Sequence, residues 1–205
     1  MKAIRDAWNV VLAGNWNLAI FSPNWLSKNL FGSESITIEF PLVPGLPPRF
    51  TAEGITVLPS TDRVMVAPKT LTDEALKRME DMACKLLNLL PHTPINALGV
   101  NLGFLEKEPS EALLQRFVDR DEALLADAGF EILIRTFSRR LVSQGQQLNL
   151  SMIIEPKEVK FDLNFHTDVQ NAEQAQKSLE NKVLKHRATA LQLLERVYGL
   201  TLEDE

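Results

Sequence analysis

The chain has 205 residues, 45% of them apolar and 24% charged, with a formal net charge of −5. That length buries a real core, either as one large domain or as a tight pair of lobes, and the composition excludes fibrous and disordered classes. The acidic excess lies in the second half: residues 1–102 carry nine basic and nine acidic side chains, residues 103–205 thirteen and eighteen. No basic footprint for nucleic acid results. The nearest cluster, Arg135, Arg139 and Arg140 with Lys157 and Lys160, is diluted by Glu131, Glu155 and Glu158.

Cys84 is the only cysteine, so no intrachain disulfide forms, and its apolar helical surroundings point to inert burial. Near the N-terminus Asp6, Asn9, Asn15 and Asn17 interrupt the apolar centre of about 7–15 residues that a signal peptide needs. No stretch approaches the ~20 apolar residues of a membrane span. The expected address is the cytoplasm, with no membrane contact.

In chain order, residues 9–13 and 17–21 read as two short strands around a Gly14-Asn15 turn. Ser22 is an N-cap, Pro23 fits the first helical turn and Gly32 closes the helix. Ile36, Ile38 and Phe40 alternate with Thr37 and Glu39, as on a strand with one buried face. Four prolines in PLVPGLPP (41–48) then break regular structure; this is the best candidate for an internal boundary, but it is short and reads as an edge crossing rather than a linker. Strands at 54–58 and 63–67 follow.

Thr72 opens a helix with Asp73 and Glu74 in its first turn, where the dipole favours negative charge. Leu76, Met79, Ala83, Leu86, Leu87 and Leu90 keep helical spacing until Pro91. Residues 95–106 read as a strand burying Leu98, Val100, Leu102 and Phe104, and a helix at about 110–128 ends at Gly129. Strands at 130–142, 147–155 and 158–168 form a meander around SQGQ and EPKE turns. Asn171 caps a long final helix reaching about Tyr198, with Gly199 past its end.

The two strands flanking the 110–128 helix are expected to be parallel, joined by a right-handed crossover. The expected fold is therefore α+β: a layered mixed sheet with a C-terminal antiparallel three-strand meander, one parallel βαβ crossover, and helices mainly on one face. It reads as a single domain over 1–205, with a division into a β-rich lobe (1–70) and an α+β lobe (71–200) left open.

Alternation then assigns faces. Leu148, Leu150, Met152 and Ile154 belong with Phe161, Leu163, Phe165, Ile132 and Ile134 against the helices. The opposite face shows Asn101, between Gly99 and Gly103, with Arg135, Asn149, Ser151, Asp162, Asn164 and His166. A solvated sheet face produces that pattern without any function. As a candidate interaction face it comprises Asn101, Arg135, Asn149, Asp162, Asn164 and His166.

Strand geometry limits other chemistry. Side chains two apart on a strand are about 6.7 Å apart and those four apart about 13 Å, so His166 and Asp168 can share a metal but Asp162 and His166 cannot. Two ligands make no zinc site, and His92 and His186 lie elsewhere. No Gly-x-Ser-x-Gly elbow, P-loop or dinucleotide fingerprint is present. The glycines of GVNLG mark a bulge or a close neighbour rather than a phosphate cradle. No metal, no cofactor and no catalytic residue is assigned.

Trp8, Trp16 and Trp25 all fall in the first 25 residues, which ties an N-terminal lobe to the core or builds a partner surface. Leu179, Val183, His186, Ala190, Leu193 and Val197 form a stripe on the last helix, suited to core packing or a dimer seam. Two functional readings remain. The favoured one is a non-enzymatic interaction or assembly protein, an accessory subunit or self-associating scaffold with a protein partner or a second copy. The alternative is a small metal-independent hydrolase or transferase using Asp162, Asn164 and His166.

Overall fold

The computed structural model describes residues 1–41, 43, 47–143 and 145–203. The boundary read at 41–48 and the turn read at 143–146 include positions outside the described residues. The strands are β1 (Lys2–Ala3), β2 (Asn9–Gly14), β3 (Thr37–Glu39), β4 (Arg49–Ala52), β5 (Ile55–Pro59), β6 (Arg63–Pro68), β7 (Ile95–Lys107), β8 (Arg135–Ser143), β9 (Gln146–Glu155) and β10 (Glu158–Asp168). They form one ten-stranded sheet in the order β3-β4-β5-β6-β2-β7-β10-β9-β8, with β1 also on β7.

Every pairing among the described residues is antiparallel. The expected mixed sheet with a parallel βαβ crossover is therefore wrong, for a reason visible at β7. One edge of β7 is taken by β10, from Glu158↔Lys107 to Asp168↔Ala97, and the other by β1 and β2. No edge is left for the strand that follows. That strand, β8, starts at the sheet end where β7 finishes, since Arg135 faces Ile154 and Glu155 faces Glu158, the partner of Lys107. The connection skirts one end of the sheet and needs no long helix. It is accordingly short pieces: α3 (Glu111–Leu114), a 3₁₀ turn at Gln115–Phe117, and α4 (Glu122–Asp127).

Several local expectations also change. Residues 17–21 form a 3₁₀ turn, Leu18–Ile20, with the Asn17 side chain accepting from the Ala19 N–H. β4 and the two-residue β1 carry too little alternation to be read in advance. The helix after Ser22 begins as α1 (Pro23–Trp25) and widens to a π-helical run, Leu26–Phe31, before Gly32 adopts φ +66°. Trp8 and Trp16 are core residues whose indole N–H groups donate to Gly103 O (2.8 Å) and Leu12 O (3.0 Å).

The long helices α2 (Asp73–Leu89), α5 (Ala172–Leu179) and α6 (Val183–Leu193) pack against one face of the sheet. Leu76, Met79, Ala83, Leu86 and Leu87 of α2 meet Val10, Leu12, Leu98 and Val100, with Phe161, Leu163 and Phe165 extending the same layer. Cys84 is half-buried against this core, and burial pushes its thiol up to about 12.

The last helix is not continuous. It breaks between α5 and α6, where Asn181 takes φ +57°. Asparagine tolerates that left-handed conformation better than most residues. The break presents the backbone N–H groups of Asn181, Lys182 and Val183 to the carboxylate of Glu80, which is only 2% exposed (2.9, 2.8 and 2.8 Å). Lys77 Nζ donates to the same carboxylate at 2.8 Å. Burial by itself pushes the Glu80 carboxyl up, but Lys77 and the Val183 and Asn181 N–H groups outweigh it and hold the carboxyl below its ordinary range.

Beyond α6 a π-helical turn, Leu194–Tyr198, shifts the inward stripe by one residue. Leu194 and Tyr198 enter the core, while Val197 is left exposed.

Glu80→Ala leaves the Asn181 and Val183 N–H groups near the core without an acceptor, while the Lys182 N–H keeps its bond to Leu179 O (3.0 Å). At about 1–3 kcal/mol for each orphaned donor, the variant should lose about 2 kcal/mol or more in a urea titration. Glu80→Gln, which keeps an acceptor oxygen, should lose less.

A second outcome concerns His186, buried against Phe165 with ring centroids 4.3 Å apart. Burial, then the Lys182 charge, push its imidazole down to about 4. The folded-state value lies below the unfolded one, so the unfolded chain binds the extra proton between them. Stability is therefore full above about pH 6.5 and falls as pH drops toward 4. Denaturation midpoints across that window should show this slope, and His186→Phe should flatten it.

Candidate functional site

The strand pairing places Asn101, Asn149, Asp162, Asn164 and His166 on one face of the sheet, opposite the helices. Asn101 pairs with Asn164, Asn164 with Asn149, and Asn9 of β2 with Asn101. Their amides bond in a directed chain across four adjacent strands. Gln147 Nε2 donates to Asn149 Oδ1 (3.3 Å), Asn149 Nδ2 to Asn164 Oδ1 (3.0 Å), Asn164 Nδ2 to Asn101 Oδ1 (2.7 Å), and Asn101 Nδ2 to Asn9 Oδ1 (2.8 Å). Each link uses one N–H of an amide that has two, and one lone pair of an oxygen that has two. The row is ordered by its own bonds and keeps spare donors and acceptors.

Two glycines shape this face. A Cβ on Gly99 would lie 2.8 Å from Asn164 Nδ2, so the missing side chain makes room for the central amide. A Cβ on Gly103 would lie 2.4 Å from the Cβ of Ala7, in the 3₁₀ turn Arg5–Ala7 that joins β1 to β2 along β7. Both positions are close approaches, as the GVNLG stretch suggests.

Arg135 is not on this face. It pairs with Ile154, so it points to the helix side, where its guanidinium binds Glu122 through Nε and Nη2. That pairing holds the Glu122 carboxyl down at about 2. The residue of β8 that joins the amide face is Arg140, opposite Asn149. The strand starts at 135, so Phe137 and Leu141 take the inward positions assigned to Ile132 and Ile134. Asn9 and Gln147 were missed. Gln147 follows from alternation with Asn149, whereas Asn9 required the pairing of β2 with β7.

Asp162 and His166 are not brought together. Asp162 pairs with Lys160 (2.9 Å), and His166 Nε2 meets Asp168 Oδ1 at 2.9 Å. Among the described residues no three His, Cys, Asp or Glu side chains are placed to hold a metal, and no helix is long and apolar enough to cross a membrane.

A second surface was not legible in advance. Leu124, Phe130, Leu133 and Ile134 are 69%, 67%, 64% and 57% exposed, in the connection that runs into β8. Among the described residues β8 pairs only with β9, which leaves its other edge open, with Val142 exposed near its end. No family model matches the chain, and neither a curated protein nor a solved structure matches it.

Substitutions on β10 separate the two faces. Phe165→Ala empties a core position and should cost about 3–5 kcal/mol, whereas His166→Ala should cost less than about 1 kcal/mol. Guanidinium titrations of both variants check the register, because a one-residue slip would exchange the outcomes. Gly99→Ala should be mild in the same assay, since the group it displaces is the end of the Asn164 side chain.

Proposed function

We propose that this chain is a non-enzymatic interaction or assembly protein, an accessory subunit or a self-associating scaffold. The observation that carries the reading is the run of exposed apolar side chains, Leu124, Phe130, Leu133 and Ile134, that leads into the open edge of β8. Several exposed apolar side chains close in sequence to an unpaired strand edge are costly in water and suit a protein partner. A partner strand on β8 would gain main-chain hydrogen bonds, with the apolar run supplying anchors. Arg139 and Arg140, on opposite faces of that strand, discourage indiscriminate pairing. The amide face is the second candidate surface, its polar groups already held in place by one another.

Sedimentation velocity across a concentration series, together with recovery of the tagged chain from its own cells, tests this. Phe130→Ser with Leu133→Ser should abolish self-association or release the co-purifying protein, while changing stability by no more than about 0.5 kcal/mol per exposed site. Asn164→Arg should leave association unchanged. If Asn164→Arg alone disrupts it, the amide face is the partner surface. A strictly monomeric chain that brings no partner would remove the reading.

A further inference from the structure

The groove between α6 and the meander has a composition that neither surface above explains. It holds about 660 Å³, within the usual range for small-molecule sites. Its floor is Leu148, Phe165 and Leu193, and its rim carries Lys182, Lys185 and Arg196. Among the described residues, no aspartate or glutamate lines it. In a chain of net charge −5, three cations without a lining carboxylate form a local excess of the opposite sign. None of the three side chains makes a salt bridge among the described residues.

His186 lies in the same groove. It is 9% exposed, stacked on Phe165 at an interplanar angle of 16°, and its ring nitrogens have no hydrogen-bond partner among the described residues. Neither ring nitrogen is sealed from solvent, so a ligand lying in the groove can reach the ring and bond to it. The π-helical turn at Leu194–Tyr198 keeps Val197 with Leu193 on the groove side, and such widened turns are frequent at functional sites.

We propose that this groove binds a small amphipathic anion, an organic carboxylate or phosphate on an apolar body. The body lies on Leu148, Phe165 and Leu193, the head group meets the cationic rim, and His186 hydrogen-bonds the ligand at the junction of the two. The site is independent of the partner surface at 124–134, so either reading can fail alone.

The probes are decanoate, followed by calorimetry and by the His186 ring resonances in NMR, with inorganic phosphate and anionic phospholipid vesicles as comparisons. Decanoate should bind saturably and shift the His186 resonances. Lys182→Glu/Lys185→Glu/Arg196→Glu should weaken it by about tenfold or more. Should that triple variant fold poorly, Thr189→Trp fills the groove from an exposed helix position with every charge kept, and should abolish binding. Unchanged affinity in a folded triple variant, or in Thr189→Trp, overturns the proposal. So does phosphate competing as well as decanoate, which would reduce the site to its charges. Vesicle binding without decanoate binding would assign the cations to a lipid surface instead, and absence of saturable binding would overturn the proposal outright.

Discussion

One buried carboxylate sets the geometry of the helical layer. Glu80 stands on α2, yet the N–H groups it accepts belong to residues a hundred positions later, where α5 ends and α6 begins. A continuous helix from 171 to 198 would bond those N–H groups internally and present nothing to Glu80. The carboxylate and the break therefore require each other. Lys77 keeps the buried charge compensated, without which its desolvation would count against the fold. Arg187, paired with Asp73 at the start of α2, fixes the same two helices further along. With the direction of α6 fixed, the side of the helix that carries Lys182, Lys185 and His186 is fixed too.

The sheet is organised around β7. Strand pairs on both its edges are antiparallel, and its small residues are placed where neighbours press close. Trp8 illustrates the economy of this arrangement: its ring packs edge-on against Phe104 at 5.3 Å while its N–H satisfies the Gly103 carbonyl. The same carbonyl accepts from Ile4 N (2.9 Å), so one backbone oxygen of β7 ties down both ends of the kink between β1 and β2.

Much of this was legible in the residues. The meander, the inward faces of β9 and β10 and the caps at Ser22, Thr72 and Asn171 follow from period-two alternation and from side chains that accept N–H bonds. Pairing order was not legible, because alternation says which face a residue takes and nothing about its neighbour. The parallel crossover failed for that reason: a helical pattern between two strands implied a traverse that the occupied edges of β7 forbid. Of the candidate face, Asn101, Asn149, Asp162, Asn164 and His166 were placed together by alternation, while Arg135 was misplaced by a single-residue error in phase. Asn181 gave no warning of the helix break, since its partner lies on another helix, and the exposure of Phe130 and Leu133 depends on where β8 begins.

The position of β2 carries a consequence for how the chain is made. Val10 meets Val66 on one side and Val100 on the other, so an early strand is completed by two later ones. The intervening strands β3 to β6 pair with sequence neighbours and can close as they emerge, as β9 and β10 can around Pro156 and Lys157. β2 cannot. At about 5–20 residues per second, it waits on the order of ten seconds before β7 is available. Through that interval Val10 and Leu12 stand without their full cover on the growing chain, which makes β2 the segment most dependent on protection during vectorial synthesis.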